Sequence, residues 1–385
     1  MSARLDELER EFARNFAERG ELGAAVAGWE NGREVASLAG GFRDRDKTMP
    51  WTVETPVLVW SATKGPAAAC LLHVCQEQRV ELTRRVSEFW PEFATNGKGE
   101  VTIADVLSHR AGLSALSQSA DVLDYEAVIA ALAAEAPNWP LGGQRHGYHP
   151  RTFGFLLDEL LRRLTGGTTL GDYWRATFGE PLALAFWIGL PEHLVESVTP
   201  VFAARSAPAK DDPFYTAFMT PDTLTSRTFM SPRGLHAVSA MNTAPARKAS
   251  FPAFGGIGTA SALAKFYAML AQGGELDGQR FFKPETLALM STPLAQGPDL
   301  VLLDETTFSA GFMMDPTGPD GRKLRQAFGP SLRAFGHPGA GGSHAFADPE
   351  NGIAFAYVMN QMEAGVFPGP RALRLVETIY AEHGG

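Results

Sequence analysis

Leu5, Leu8, Phe12 and Phe16 recur at helical spacing, which predicts an amphipathic helix over residues 3–18. Two short apolar or alternating runs follow, 23–29 and 34–39, with Asn31-Gly32 between them. That dipeptide is a strong hairpin signal, so the runs predict a β-hairpin. Residues 67–75 are apolar all round and predict a buried helix. Leu156, Leu160, Leu161 and Leu164 form one helical face that stops at Gly166-Gly167, and 122–135 and 169–178 also read as helical. From 195 to 255 Pro, Ser, Thr and Met are frequent and periodicity is weak, a length of irregular chain that often marks a binding loop. Beyond it, 260–270 and 284–290 read as helices, and 308–314, 332–335, 344–347 and 353–359 as strands. The turn 348–352 has a stated cause, because Pro349 sets φ and Gly352 permits φ > 0. A last helix is expected over 372–380. Strands therefore lie at both ends and helices between them. The pattern predicts an α/β plus α fold, an antiparallel sheet built from both termini and flanked by the terminal helices. The expected division is a discontinuous sheet unit, 1–75 with 255–385, and an inserted helical region, 76–254, that carries the long loops.

Length and composition narrow the class. A chain of 385 residues allows two or three domains or one large catalytic unit. Its 45% apolar and 20% charged residues exclude a disordered or collagen-like chain. The formal net charge of −9 counts against nucleic acid as the main partner. Cys70 and Cys75 are too few for a disulfide framework and read as reduced core thiols. The first residues are highly charged with no apolar stretch of a secretory signal, and the longest clean apolar run, Leu182–Leu190, is half a membrane span. The expectation is a cytoplasmic protein with no membrane partner. There is no His-Glu-x-x-His, Cys-x-x-Cys pair, P-loop or dinucleotide fingerprint, so no cofactor is expected. His146 and His149 stand three apart without an obvious carboxylate partner, and no metal site is expected there.

Three pieces carry candidate chemistry. Ser61-Ala62-Thr63-Lys64 precedes the apolar helix and follows a strand-like stretch, 56–60. On a helix, positions i and i+3 share a face, which puts the Lys64 ammonium beside the Ser61 hydroxyl. A serine needs a base to become a nucleophile, and a lysine buried at a helix start can lose its proton readily. Tyr148, in Gly147-Tyr148-His149-Pro150, sits at a loop-to-helix junction, where a neighbouring Lys⁺ is expected to lower its pKa and let it act as a base. Gly336-His337-Pro338-Gly339-Ala340-Gly341-Gly342-Ser343 lets the backbone approach a ligand closely. One N–H from it, with that of Ser61, could form an oxyanion hole. There is no Gly-x-Ser-x-Gly elbow, which counts against an α/β-hydrolase.

In this order the pieces resemble the serine β-lactamase and penicillin-binding-protein superfamily, and more closely the class C β-lactamase-related family VIII carboxylesterases. The resemblance spans nearly the whole chain and includes Leu107-Ser-His-Arg-Ala-Gly-Leu113 and Gly255-Gly-Ile-Gly258. It implies an α/β sandwich with a helical region and a groove between them. It implies Ser61 as the acylated nucleophile, and a proton shuttle shared by Lys64 and Tyr148, without saying which is the base. It places substrate-binding and oxyanion contacts at Ser61, His337, Gly339 and Ala340, with the Ala340 amide as second donor. Two departures stand out. Pro150 occupies the place of the family's amide-binding Asn, and His337 that of the carboxylate-attracting Lys of Lys-Thr-Gly. Both weaken recognition of anionic amides and imply a serine carboxylesterase for small to medium uncharged esters. The alternatives are a β-lactamase or D-amino-acid amidase, an acyltransferase and, least favoured, a non-catalytic scaffold. Arg333 reads as a solvated surface residue. The aromatics Trp139, Phe153, Phe214, Phe218 and Trp187 are candidates for an acyl pocket or plain core.

Overall fold

The computed structural model describes residues 2–206, 209 and 211–381, with side chains from Leu5 onward. Its helices include α1 (Ser2–Glu18), α2 (Lys64–Gln78), α3 (Thr152–Thr165), α4 (Ala260–Ala271) and α5 (Pro370–Tyr380). The main sheet has eight strands: β1 (Gly23–Glu30), β2 (Arg33–Gly41), β3 (Ala295–Pro298), β4 (Glu305–Phe308), β5 (Met313–Met314), β6 (Phe335–Pro338), β7 (His344–Asp348) and β8 (Ile353–Met359). Their order is β2-β1-β8-β7-β6-β5-β4-β3, antiparallel throughout. The β1–β2 hairpin closes at Asn31 and Gly32, both at positive φ, as its Asn-Gly signal requires.

The sheet sorts its side chains by size. Ala25, Ala27, Ala345, Ala347, Ala354 and Ala356 face the cluster that contains α4 and α2, so those helices pack close to the strands. Val26, Phe346, Phe355 and Tyr357 point to the other face, against Leu8 and Phe12 of α1 and Leu375, Val376 and Ile379 of α5. This is the period-2 alternation of a strand, with small residues on one face and bulky ones on the other.

Several expectations change. The stretch 308–314 is two paired strands, not one. Ser309 N–H donates to the Phe312 carbonyl at 2.9 Å, and Gly311 (φ +87°) turns where an added Cβ would meet Ala68 at 2.2 Å. The strand expected at 332–335 begins instead at Phe335, because Ser331 Oγ accepts from Arg333 N–H and holds a turn that leaves Leu332 exposed. Of 56–60 only Val57–Leu58 is strand, in a small sheet with Gly256–Gly258 and Phe186–Ile188. The 195–255 segment holds short helices, Pro213–Met219 and Leu224–Phe229 among them, capped by Asp212 and Thr223. Strand β3 carries Gly297 and Pro298 and has no alternating signal.

Candidate active site

Ser61 lies in a single 3₁₀ turn, Trp60–Thr63, that feeds α2. Trp60 has φ +51°, an uncommon conformation for a bulky residue, so the backbone is strained immediately before Ser61. The turn is held from outside: Thr63 Oγ1 donates to the Trp60 carbonyl and accepts from Gly256 N–H at 2.8 Å. A Cβ on Gly256 would lie 2.7 Å from that hydroxyl, which explains a glycine there. Gly65 is required as well, since a Cβ would meet the Tyr267 hydroxyl at 2.1 Å.

Lys64 is fully buried, with Nζ 3.4 Å from Ser61 Oγ, 2.9 Å from the Pro150 carbonyl and 2.9 Å from the Ala253 carbonyl. Burial drives its pKa well below the ordinary lysine value. A neutral amine has two N–H groups and one lone pair. The two carbonyls take the N–H groups, and the lone pair is left toward the Ser61 hydroxyl.

Tyr148 comes to the same place, but its ionisation runs against expectation. Burial raises the pKa of its phenol, hydrogen bonding to Ser61 opposes this, and the Asp299 charge adds to it. The expected lowering by Lys⁺ does not occur: Nζ sits over the ring face, 4.7 Å from its centroid, and burial lowers its own pKa. His337 stacks on the Tyr148 ring at 5.7 Å. Its Nδ1 donates to the Pro338 carbonyl at 2.7 Å and its buried Nε2 has no partner. Burial, then Lys64, pushes its pKa well down, so it offers an uncharged ring. Arg333 is exposed and bonds Ser291 Oγ at 3.0 Å.

The glycine-rich loop packs against the Ser61 turn, where a Cβ on Gly339 would meet the Val59 carbonyl at 2.1 Å. Gly339 N–H is used within the loop, donating to Ser343 O at 2.6 Å, and Gly341 and Gly342 N–H are also bonded. Ala340 N–H has no acceptor among the described residues, and neither has Ser61 N–H in the first turn of its helix. Of the loop amides from Gly339 to Gly342, Ala340 is thus the one left to serve a ligand.

Sequence reasoning missed the frame behind Tyr148. Its N–H donates to both Asp299 oxygens, at 3.0 and 3.1 Å. The same carboxylate accepts from Val301 and Leu302 N–H, both at 2.8 Å. On the other side His149 Nδ1 donates to Gly147 O at 2.7 Å and Nε2 accepts from Leu113 N–H at 3.0 Å, which makes the ring neutral. Burial lowers its pKa to about 3. His149 N–H donates to His109 Nδ1 at 3.1 Å. His109 and Leu113 belong to the 107–113 stretch singled out in the sequence, so that signal was present without its meaning. No group of three or more potential metal-ligating residues occurs among the described residues. Cys70 and Cys75 are free and buried, with the Cys75 thiol pushed up to about 12.

The Beta-lactamase family domain matches residues 6–378. The chain belongs to that family. This Beta-lactamase family serine hydrolase is 33% identical over 362 residues to Esterase/beta-lactamase LipL of Mycobacterium tuberculosis, covering 92% of this chain and 80% of that one. It is similar to the crystal structure of a penicillin-binding protein homolog from Caulobacter crescentus (38% identity, TM-score 0.86, covering 98% of this chain and 97% of that one). It is also similar to a family VIII carboxylesterase (30% identity, TM-score 0.86, with the same coverage). No helix among the described residues is long and apolar enough to cross a membrane.

Proposed function

We propose that this Beta-lactamase family member is a serine carboxylesterase for small to medium uncharged esters, working through a Ser61 acyl-enzyme. The observation that carries the reading is the Lys64 amine, held by two carbonyls with its remaining direction on Ser61 Oγ. In the first step Lys64 takes the Ser61 proton as Oγ bonds the ester carbonyl carbon, and the Ser61 and Ala340 amides receive the oxyanion. Tyr148, kept protonated by burial, gives its proton to the departing alkoxide and is reprotonated from Lys64. Water then attacks the acyl-enzyme by the same groups in reverse. The gap of 3.4 Å between Nζ and Oγ suits a resting site that tightens on substrate.

Selectivity follows from charge. His337 offers an uncharged ring, and Pro150 offers only its carbonyl, already taken by Lys64. A carboxylate-bearing amide has no partner there. A cavity of about 630 Å³ lies between Phe214, Leu302 and Val366, against the loop that holds Tyr148 and the segment that bonds Gly341. We assign it to the longer chain of the ester. Hydrolysis of β-lactams is the second reading, favoured by the shared acyl-enzyme chemistry.

The test compares wild type with Ser61→Ala on p-nitrophenyl acetate, butyrate and octanoate, with nitrocefin alongside. Ser61-dependent ester cleavage with slow nitrocefin turnover is expected. Rapid nitrocefin turnover would transfer the assignment to the β-lactamase reading, and ester cleavage that survives Ser61→Ala would end both.

A further inference from the structure

The Ala340 amide can receive an oxyanion only if its loop is held still, and the loop does little to hold itself. Gly341 and Gly342 follow at φ +83° and +122°, backbone that glycine adopts freely and leaves as freely. Among the described residues, two backbone bonds tie 339–343 to the rest of the chain. Gly341 N–H donates to the Gly365 carbonyl at 3.2 Å, and Glu363 N–H donates to the Gly341 carbonyl at 2.9 Å. Both end on the stretch that follows β8.

The Glu363 side chain anchors that stretch. Its carboxyl group accepts from the Arg371 N–H in the first turn of α5, and Oε1 lies 3.9 Å from Arg371 Nε. The start of α5 is fixed in turn. The buried Arg371 guanidinium donates to the Arg19 carbonyl at 2.9 and 3.0 Å and to the Gln361 carbonyl at 2.6 Å, and it pairs with Glu21 at 3.3 Å. Glu363 is also wedged against the loop: a Cβ on Gly342 would lie 3.3 Å from Oε2. Burial raises the Glu363 pKa and the Arg371 charge opposes this, but the contact to the Arg371 N–H needs only an acceptor oxygen, which acid and carboxylate both have.

We propose that Glu363 is a positioning residue for the oxyanion hole, its side chain bracing the Ala340 loop against the start of α5. The proposal rests on the oxyanion role given to the Ala340 amide above. Without the brace, 363–365 loosens, the loop follows through its two bonds to Gly341, and the Ala340 N–H loses its aim. An ester carbonyl carries little charge until Ser61 attacks, so the loss falls on the transition state and not on the bound ester. Glu363 thus acts on kcat and leaves KM almost unchanged.

The test uses the full chain as wild type, Glu363→Ala, Glu363→Leu and Glu363→Gln, each checked for folding by its thermal melt. Alanine and leucine both remove the acceptor, and leucine keeps the volume. Two readouts are taken: amide hydrogen exchange of 339–343, and turnover of p-nitrophenyl acetate beside its thiono (C=S) analogue, whose sulfur gains less from the hole. Glu363→Ala and Glu363→Leu should exchange the loop amides faster and lower kcat for the acetate about 10-fold at constant KM. The thiono ester should slow less, so the ratio of the two rates shrinks. Glu363→Gln, which keeps an acceptor oxygen, should restore both readouts. Loop exchange equal to wild type in Glu363→Ala and Glu363→Leu would overturn the proposal, as would equal slowing of the two esters. The exchange needs no substrate. Failure of wild type to cleave the acetate would overturn the esterase reading alone, while loop exchange would still decide the brace.

Discussion

Two lysines in this protein have no exposed surface, Lys64 deep in the interior and Lys98 nearer the outside, and they have opposite fates. Lys98 gives its three N–H groups to the carbonyls of Thr95, Ala133 and Glu135, at the end of the helix Tyr125–Ala134. Three acceptors call for three protons, so Lys98 is an ammonium that closes a helix C-terminus. Lys64 has two carbonyls and one hydroxyl, with no carboxylate close by. Burial lowers both pKa values, but the Glu135 charge opposes the shift at Lys98, whereas burial acts unopposed at Lys64. The difference of one hydroxyl separates a structural cation from a base. Burial alone therefore says little about reactivity; what counts is how many protons the neighbours require.

Exchanging each lysine for methionine should separate the two roles most widely. Lys64→Met is expected to cut ester turnover by about 10²–10⁴-fold while raising stability by about 1–2 kcal/mol, read by steady-state rates and thermal melts. Lys98→Met should keep the Ser61 chemistry and lose at least about 2 kcal/mol, because buried carbonyls lose their donor.

Asp299→Asn comes next, with about a 10²-fold loss in turnover, since an amide cannot accept from every N–H that the carboxylate serves. A full-rate Asp299→Asn enzyme would show that Tyr148 is held by other means.

The pH dependence sharpens the same contrast. Lys64 must be neutral, so the acylation rate should fall as pH drops through its lowered pKa. Stability has a definite sign too. Between the lowered folded value and the ordinary 10.5 the unfolded chain binds the extra proton, so stability rises with pH across that window. The stability advantage of Lys64→Met should therefore be greatest at low pH and vanish above about 10.5, in melts across a pH series. The smallest expected effect is a change of chain-length preference. Val366→Trp should slow p-nitrophenyl octanoate several-fold relative to acetate if the cavity beside Phe214 and Leu302 takes the chain.

Much of this was legible in the amino-acid order. The hairpin at Asn31-Gly32, α2, α4 and strands β7 and β8 follow from local periodicity and turn chemistry, and Ser61 and Lys64 meet because i and i+3 share a helical face. Other features depend on contacts between segments far apart in the chain. Nothing near Tyr148 announces that Asp299 grips its peptide, and a Gly-Pro-Asp stretch reads as a plain turn. The raised pKa of Tyr148 differs from expectation because sequence shows that a lysine is near but not that it sits over the ring, nor that burial raises the phenol and lowers the amine. The strand boundaries at 308–314 and 335 moved for a similar reason: the approach of Gly311 to Ala68 is a tertiary contact.

The placement of β1 has a consequence for biosynthesis. Its outer neighbour β2 is adjacent in the chain, but its inner partner is β8, so Ala24 lies opposite Met359. Synthesis runs through the hairpin, Ser61 and Lys64 long before it reaches β8, the strand that covers the inner edge of β1. Pairings of such long range are slow to form, and they hold the inner edge of the N-terminal hairpin open until β8 arrives. Ser61 is thus on the chain well before Pro150 and Ala253, the residues whose carbonyls orient its lysine, so the base is set only after those later segments have folded onto it.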